Sequence, residues 1–518
     1  MVQFIIKDDG ERKKNHKHWQ YCVGSGQAKL AVRSDYAEQL KVIHDELGIE
    51  RVRFHGIFDD SMQTYMGLND FMPLPGSKKF KNYNFHNIAI AYDNVIAAGM
   101  KPWVELSFMP SRLAKGQKKV TVNAEGRCTM PKDDREWKKF IQAFVQFLLH
   151  RYGKEEVESW NFEVWNEPNM STFFNGSRED YFHLYEITAT AIKDIDANIM
   201  VGGPATATGG WITEFIQFVE KNRIPCDFIS THNYPGDGIG DVFLGKIMFD
   251  AIVGGMKRLR KKGHGRTLDG CQTVMEDKSE QTEMPKGQMY SVAKQVYEKV
   301  AEKYPIYFTE WNCNAILMSP SNDTRKVACF QVKSINEMAD YVTGSSIWAF
   351  SDIFDEFMMI PDEFSGGFGL LTISGIPKPQ FHVLKLLGMT GERQYVLPYT
   401  NDEIEISVYE SDIQKQVFIY RQRMKNVVEP ALEYEINIEL PHGAKNVLCY
   451  KIDEENGNPM KVWKEMGAPV TPNEGEIEEI KNKSSLVGRS VDKDYKDGFL
   501  VLRGKLNVND VHAFFIDI

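Results

Sequence analysis

The sequence predicts an α/β fold, a (β/α)8 TIM barrel with an accessory antiparallel β-sandwich domain. Over residues 15–390, eight short apolar runs alternate with longer amphipathic stretches, a pattern typical of parallel strands joined by helices. After about residue 390, the runs alternate apolar and polar residues and are separated by turns rich in Gly, Asn and Pro. This second pattern is typical of an antiparallel sandwich. We expect the sandwich to comprise residues 1–14 and 391–518, with the opening run VQFIIK as an added strand.

The eight candidate strands are short, rich in β-branched and aromatic residues, and followed by longer segments. They are 21–26, 51–56, 101–107, 160–167, 198–204, 227–235, 305–312 and 344–352. Amphipathic stretches such as 35–48, 136–153 and 179–195 lie between them and predict helices. Eight strand–helix units close a barrel. The alternative, a doubly wound open sheet, is expected to carry a Gly-rich phosphate turn, but VGSGQAKL lacks the third glycine of that fingerprint.

The segment 236–290 is polar, rich in Gly and partly basic, and it is long for a connection between barrel elements. We interpret it either as an insertion with a functional role or as a solvent-exposed surface loop. It follows the sixth predicted strand, so it is expected on the face of the barrel where active sites form.

Charge and hydropathy argue against nucleic acid and membranes as partners. The 518-residue chain has a formal net charge of −10 and a pI of about 5.8. Nucleic acid and anionic membranes bind basic surfaces, so we expect neither as a partner. No stretch approaches the ~18 apolar residues of a membrane span, and the N-terminal residues lack the apolar run of a signal peptide. With a native N-terminus the protein is expected to be cytoplasmic; if a signal peptide was removed, it is periplasmic or secreted.

Polar side chains gather at the C-terminal ends of the predicted strands, where TIM barrels place their chemistry. They are Arg53 and His55 on strand 2, Asn166 and Glu167 on strand 4, His232 and Tyr234 on strand 6, Glu310 on strand 7, and Asp352 with Asp355 and Glu356 at strand 8. Four tryptophans accompany them, namely Trp103, Trp165, Trp311 and Trp348. These indole rings either pack in the core or form a platform for a sugar ring.

Two carboxylates on one rim suit glycoside hydrolysis, in which one protonates the leaving oxygen and the other, ionised, attacks the anomeric carbon. Glu167 and Glu310 form this pair, and strands 4 and 7 allow them to face each other across the barrel mouth. A retaining enzyme needs a separation of ~5–5.5 Å. Asn166 is expected to hydrogen-bond the sugar 2-hydroxyl, and Arg53 or Tyr234 to hydrogen-bond Glu310 and keep it ionised.

Two other classes of function fit the same residues less well. A metal hydrolase would use His55, His232 and one glutamate as ligands, but the sequence contains neither an H-x-H nor an H-E-x-x-H spacing. A noncatalytic sugar-binding barrel is the second alternative, and the intact pair of glutamates argues against it.

The chain resembles glycoside hydrolase family 39, the β-xylosidase and α-L-iduronidase family. The motifs NFEVWNEPN, DFISTHNYP, YFTEWN and FSDIFDEF occur in family order, within a match that spans nearly the whole chain and is closer to the bacterial β-xylosidases. The resemblance implies a retaining glycosidase that acts on terminal β-xylosidic bonds of xylo-oligosaccharides, without metal or cofactor, and it is consistent with a homo-oligomer. Another family specificity, for a glucoside, an arabinoside or a uronate-type sugar, is the alternative.

The resemblance also implies roles for single residues. Glu167 matches the acid/base and Glu310 the nucleophile. His55, Asn166, His232 and Tyr234 match positions that line the sugar subsite. Asp355 and Glu356 stand where the family's xylosidases carry two consecutive glutamates that contact the distal hydroxyls, and the first of them is one methylene shorter here.

Overall fold

The computed structural model describes residues 1–66, 82–120, 125–240, 286–356, 360, 362–425 and 427–518. Eight parallel strands close a barrel in chain order, and the last strand pairs with the first. Labelled β1 to β8, they are Cys22–Gln27, Arg51–His55, Lys101–Glu105, Asn161–Glu163, Met200–Thr206, Phe228–Asn233, Ile306–Trp311 and Gly344–Ile347. The predicted barrel is confirmed. Residues 241–285 of the predicted insertion lie outside the described residues.

Helices connect the strands and surround the barrel. Labelled α1 to α9, they are Ser34–Leu47, His86–Ala97, Asp134–Tyr152, Lys154–Glu158, Arg178–Lys193, Ile212–Asn222, Gln288–Val300, Arg325–Met338 and Pro379–Gly388. Short 3-10 turns occur at His18–Gln20, Ala28–Val32, Asp60–Met62, Ala207–Gly209 and Pro320–Asp323. In the described part of the chain, no helix combines the length and the apolarity needed to cross a membrane.

Local sequence explains where these helices begin and end. The α1 side chains Tyr36, Leu40, Ile43 and Leu47 recur at helical spacing and are buried against the barrel. This helix ends at Gly48, whose φ of 68° is the left-handed conformation that glycine adopts without a Cβ clash. Helix α5 begins with a capping box, in which the Ser177 hydroxyl accepts from the Asp180 backbone N–H and the Asp180 carboxylate accepts from the Ser177 N–H.

Two further sheets form the sandwich. The first has the strand order Val2–Ile6, Leu432–Glu439, Phe499–Leu506 and Asp494–Lys496. The second has the order Arg489–Ser490, Asn446–Ile452, Val511–Asp517, Gln414–Tyr420, Glu405–Glu410, Arg393–Tyr395 and Arg12–Lys14. Side chains of both sheets, among them Ile436, Val417 and Phe514, share one buried apolar cluster. A separate pair of short strands, Tyr65–Met66 and Asn82–Tyr83, lies beside the barrel.

The sandwich differs from the prediction in two respects. Val2–Ile6 does join it, as expected, but it runs parallel to Leu432–Glu439, whereas the other described strand pairs of these two sheets are antiparallel. In addition, two helices, α10 at Pro459–Glu465 and α11 at Glu474–Lys483, interrupt a region for which we predicted only strands. Asn458 and Asn473 cap their N-termini through side-chain oxygens.

Buried ion pairs hold the sandwich and the loops against the barrel. Lys333 of α8 lies 2.7 Å from Glu405 of the second sheet and 3.0 Å from Glu337 of its own helix. Lys378, at the start of α9, is fully buried, with its Nζ 2.5 Å from Asp323 and 2.6 Å from Asp352. Asp352 follows β8, so Lys378 fixes the segment that leads from this strand to α9.

We expect Lys378→Met to destabilise the protein by about 3–5 kcal/mol, because it leaves two buried carboxylates without their cation. Urea denaturation followed by circular dichroism measures the change. Lys385→Met is the matched control on the same helix, since Lys385 pairs with Glu46 on the surface and its loss should cost less than about 1 kcal/mol. Equal losses in the two variants would show that the buried pairs add nothing.

Candidate active site

Glu167 does not lie on a strand. The fourth strand ends at Glu163, four residues before the predicted end, because Trp165 and Glu167 have φ values of 75° and 40° that no strand accommodates. The backbone N–H of Glu167 donates to the carbonyl of Ala205 at 2.8 Å. The turn directs the Glu167 carboxyl toward β6, where Oε1 lies 3.0 Å from Nδ1 of His232.

Glu310 lies on β7 and is surrounded by hydrogen-bond donors. Nη1 of Arg53 donates to Oε1 at 2.7 Å, and the hydroxyl of Tyr234 donates to Oε2 at 3.1 Å. We predicted one or the other of these contacts, and the structure contains both. Nε2 of His55 lies 3.4 Å from Oε1. Each contact favours the ionised carboxylate.

The two glutamates meet over the barrel mouth. One carboxyl oxygen of Glu167, one of Glu310 and a ring nitrogen of His232 all lie within 4.8 Å of one another. Both carboxyl groups are nearly buried, with 7% of Glu167 and 5% of Glu310 exposed. Both carboxyl groups can therefore reach the same bound molecule.

Burial and charge separate the protonation states of this pair. Burial, the charge of Glu310 and that of Asp237 raise the pKa of Glu167 well above its usual range. Burial raises the pKa of Glu310 as well, but the neighbouring Arg53 and His55 oppose this shift. The neighbouring cations thus favour the anion of Glu310, whereas the neighbouring carboxylates favour the protonated form of Glu167.

Arg53 is the centre of a buried network that the sequence only partly indicated. Its guanidinium lies 2.8 Å from Glu105 and 2.6 Å from Glu163, in addition to Glu310, and Nη2 donates to the Asn166 side-chain oxygen at 2.9 Å. The strand-end pattern missed Glu105 and Glu163. Each could have been identified as a carboxylate within a predicted, largely apolar strand, because a buried carboxylate must be paired.

His55 extends this network to the far side of the site. Its Nδ1 lies 2.7 Å from Glu105, and its Nε2 lies 3.4 Å from Glu356. Burial alone would lower the pKa of His55, but the carboxylates of Glu105, Glu356 and Glu310 raise it to about 9, so the ring is a cation at neutral pH. Burial raises the pKa of Glu356 to about 8, although His55 opposes the shift.

The predicted sugar-binding residues fall into two groups. His55, Asn166, His232, Tyr234 and Glu356 contact one or both glutamates directly or through Arg53 and His55. Asp355 is buried at the same rim, but it pairs with Lys29 at 2.8 Å, a residue from the turn after β1 that we did not predict. The Nδ2 of Asn166 is buried and has no hydrogen-bond partner among the described residues.

One of the four tryptophans lies beside the site. The ring of Trp348 is 4.9 Å from that of His55 and packs in a small cluster with Tyr234. Trp165 and Trp311 belong to the main core. Trp103 packs with residues at the opposite end of the barrel, among them Cys22 and Phe228 at the first positions of their strands.

Asp237 is a site residue that sequence reasoning missed. It lies in the loop after β6, is buried, and its charge acts on Glu167. Burial raises its pKa to about 7. Its position three residues after Tyr234, in a glycine-rich loop at the catalytic end of a strand, was the signal that could have identified it.

The site already holds a cation beside its one possible cluster of metal ligands among the described residues. Among the described residues, Glu167, His232 and Glu310 are the group close enough to share a cation. However, the Arg53 cation already lies 2.7 Å from Glu310, where it would repel a divalent ion bound at the same carboxylate. His55, the other predicted ligand of a metal hydrolase, is protonated and faces Glu105.

Comparison with known proteins identifies relatives along the whole chain. The family model for Glycosyl hydrolases family 39 matches residues 2–261 and 264–494. A beta-xylosidase of Caldicellulosiruptor saccharolyticus is 36% identical over 477 residues, which cover 91% of this chain and 89% of the relative. A beta-xylosidase of Geobacillus stearothermophilus is 31% identical over 509 residues, covering 98% and 94%.

Solved structures give the same result for the fold. The crystal structure of a monomeric beta-xylosidase from Caulobacter crescentus CB15 superimposes with a TM-score of 0.77 at 25% identity, covering 100% of this chain and 99% of that protein. The match spans the barrel and both sheets of the sandwich.

Proposed function

The chain belongs to glycosyl hydrolases family 39 and is a glycoside hydrolase, and we propose that it removes terminal xylose from β-xylo-oligosaccharides with retention of configuration. The reaction proceeds in two displacements. Glu310 attacks the anomeric carbon while Glu167 protonates the departing oxygen, which gives a glycosyl ester on Glu310. Glu167, now a carboxylate, takes a proton from water, and that water releases the sugar and frees Glu310.

The separation of the two carboxyl groups carries this proposal. Oxygens of Glu167 and Glu310 lie within 4.8 Å, near the ~5–5.5 Å of retaining enzymes and well below the ~6.5–9.5 Å of inverting ones. In an inverting enzyme, a water molecule must fit between the sugar and the second carboxylate. The short gap supports direct attack by Glu310.

Two further groups support a bound sugar ring at the pair. The unpartnered Nδ2 of Asn166 can donate to the 2-hydroxyl, a hydrogen bond that strengthens as the ring approaches the oxocarbenium ion. A buried donor without a partner costs about 1–3 kcal/mol. In this proposal, the sugar hydroxyl supplies the hydrogen-bond acceptor that Nδ2 lacks in the free enzyme. Trp348 offers an apolar ring beside His55 for the C–H face of the sugar.

Charge at the site favours a neutral sugar over a uronate. Among the described residues at the mouth, each cation already faces carboxylates: Arg53 faces Glu105, Glu163 and Glu310, and Lys29 faces Asp355. A sugar carboxylate would have to displace one of these pairs. The enclosed glutamates, together with the two relatives named beta-xylosidase, support a terminal neutral pentose as substrate.

A panel of nitrophenyl glycosides tests the substrate, and NMR of the first product tests the stereochemistry. We expect the β-xyloside to be hydrolysed faster than the glucoside, arabinoside, fucoside and iduronide analogues. We expect β-xylose as the first-formed anomer, before mutarotation. Glu310→Ala provides the background rate. If α-xylose forms first, retention is wrong; if another glycoside is cleaved fastest, the xylosidase assignment is wrong.

A further inference from the structure

A chain of four buried side chains runs from Glu163 to Glu167 beneath the mouth of the barrel. The hydroxyl of Thr309 donates to Oε1 of Glu163 at 2.8 Å. Nε2 of His232 lies 3.0 Å from the same hydroxyl, and Nδ1 lies 3.0 Å from Oε1 of Glu167. The mechanism proposed above assigns no role to Thr309 or Glu163.

Glu163, the first residue of this hydrogen-bond chain, determines the direction of each hydrogen bond that follows. The Glu163 carboxylate is paired with Nε of Arg53 at 2.6 Å and accepts hydrogen bonds. Thr309 therefore points its only hydrogen at Glu163. Its oxygen can then only accept from His232, which requires a proton on Nε2 of the ring.

The other ring nitrogen must then accept. Burial, with the positive charges of Arg53 and His55, lowers the pKa of His232 well below its usual value, so the ring is neutral. A neutral imidazole with its hydrogen on Nε2 has a lone pair on Nδ1. The contact between Nδ1 and Glu167 is a hydrogen bond only when Oε1 of Glu167 carries the proton.

We propose that Thr309 and Glu163 are positioning residues that fix the Nε2–H tautomer of His232 and so hold the proton on Glu167. The inference rests on the proposed role of Glu167 as the acid. When Glu167 gives its proton to the leaving oxygen, its carboxylate faces the lone pair of Nδ1. That contact makes the carboxylate a stronger base, which takes a proton from water in the second step.

Other charges also act on Glu167, and the test must separate them from the hydrogen-bond chain. The groups that face it are Glu310, Asp237 and Glu356, which favour its protonated form, Arg53, which favours its anion, and the neutral His232. A substitution at Thr309 leaves all of these groups in place.

We expect Thr309→Val to move the alkaline limb of the kcat/KM profile to lower pH by about one unit or more. Without the hydroxyl, His232 can place its hydrogen on Nδ1 and donate it to the Glu167 carboxylate, which stabilises the anion and lowers the pKa of the acid. Activity needs protonated Glu167 and is lost as the pH rises through that pKa, so the limb moves down. The loss should be greater for xylobiose than for a dinitrophenyl xyloside, whose leaving group needs little protonation.

Thr309→Ser keeps the hydroxyl and should restore the wild-type limb, whereas a loss of packing alone would affect both substrates equally and leave the limb in place. An unchanged limb in a folded Thr309→Val enzyme overturns the inference.

Histidine ¹⁵N NMR of the ring-labelled wild-type protein gives a readout that needs no substrate and no activity. The His232 signals, assigned by their absence in His232→Gln, should show a proton on Nε2 and none on Nδ1. A proton on Nδ1 overturns the inference even if the enzyme is an active retaining glycosidase. If the protein shows the Nε2–H tautomer but cleaves none of the glycosides in the panel, the hydrogen-bond chain is supported and the proposed function is rejected.

Discussion

Glu310→Ala is expected to lower kcat on a β-xyloside by about four orders of magnitude or more, or roughly 5 kcal/mol of transition-state stabilisation. The variant lacks the only atom that forms the covalent bond to the anomeric carbon in the proposed mechanism. Arg53 and Tyr234, which contact Glu310, donate hydrogen bonds to its carboxylate and carry no carboxylate that could replace it. Steady-state hydrolysis of the nitrophenyl xyloside measures the loss.

Azide then distinguishes the role of Glu310 from a general loss of activity. The small anion fits the space left by the carboxylate and attacks from the same side, so we expect partial recovery of turnover with α-xylosyl azide as product. β-Xylosyl azide would assign Glu310 the acid/base role. Glu298→Ala is the control, an exposed glutamate on α7, and it should retain full activity.

Glu167→Ala should have an effect nearly as large on natural substrates, but one that depends on the leaving group. Without the acid, cleavage of xylobiose is expected to fall by about 10²–10⁴-fold. A dinitrophenyl xyloside still forms the glycosyl-enzyme, which then accumulates because no base activates water. We expect a burst of dinitrophenol followed by slow turnover, measured by stopped-flow absorbance.

Azide rescue of this variant must give the opposite anomer. The anion attacks the glycosyl-enzyme from the face where Glu167 lay, so the product is β-xylosyl azide, and the alkaline limb of the pH profile disappears with the group that produced it. Equal losses on xylobiose and on the dinitrophenyl substrate would contradict an acid role. Glu155→Ala, at an exposed position on α4, the helix that precedes β4, serves as the control.

The sequence predicted the barrel well because each strand is a short apolar run that lies between longer amphipathic stretches. All eight runs became barrel strands, and the helices near 35–48, 136–153 and 179–195 lie where the periodicity indicated. The end of β4 could not be predicted, since the left-handed conformations of Trp165 and Glu167 are set by the surrounding structure and neither residue favours them. Helices α10 and α11 were missed for a different reason. Both are short, and the segments on either side show the alternating pattern of strands, so we predicted strands throughout.

For the site, strand ends and residue types were enough to place the two glutamates and their immediate neighbours on one rim. Strand ends and residue types could not show which residues pair with the carboxylates of Glu105 and Glu163. Glu105 and Glu163 lie inside the predicted runs 101–107 and 160–167, and only the closed barrel brings Arg53 from β2 within reach of both. Lys29 and Asp237 come from loops, whose course depends on contacts that no local pattern specifies.

The parallel pairing of Val2–Ile6 affects how the protein is made. Val2 pairs with Tyr434, which is synthesised 432 positions later, from 2 to 434. At about 5–20 residues per second, this delay is roughly 20–90 s. All eight barrel strands are synthesised before Leu432–Glu439, so Val2–Ile6 waits for its partner strand while the barrel sequence is already complete.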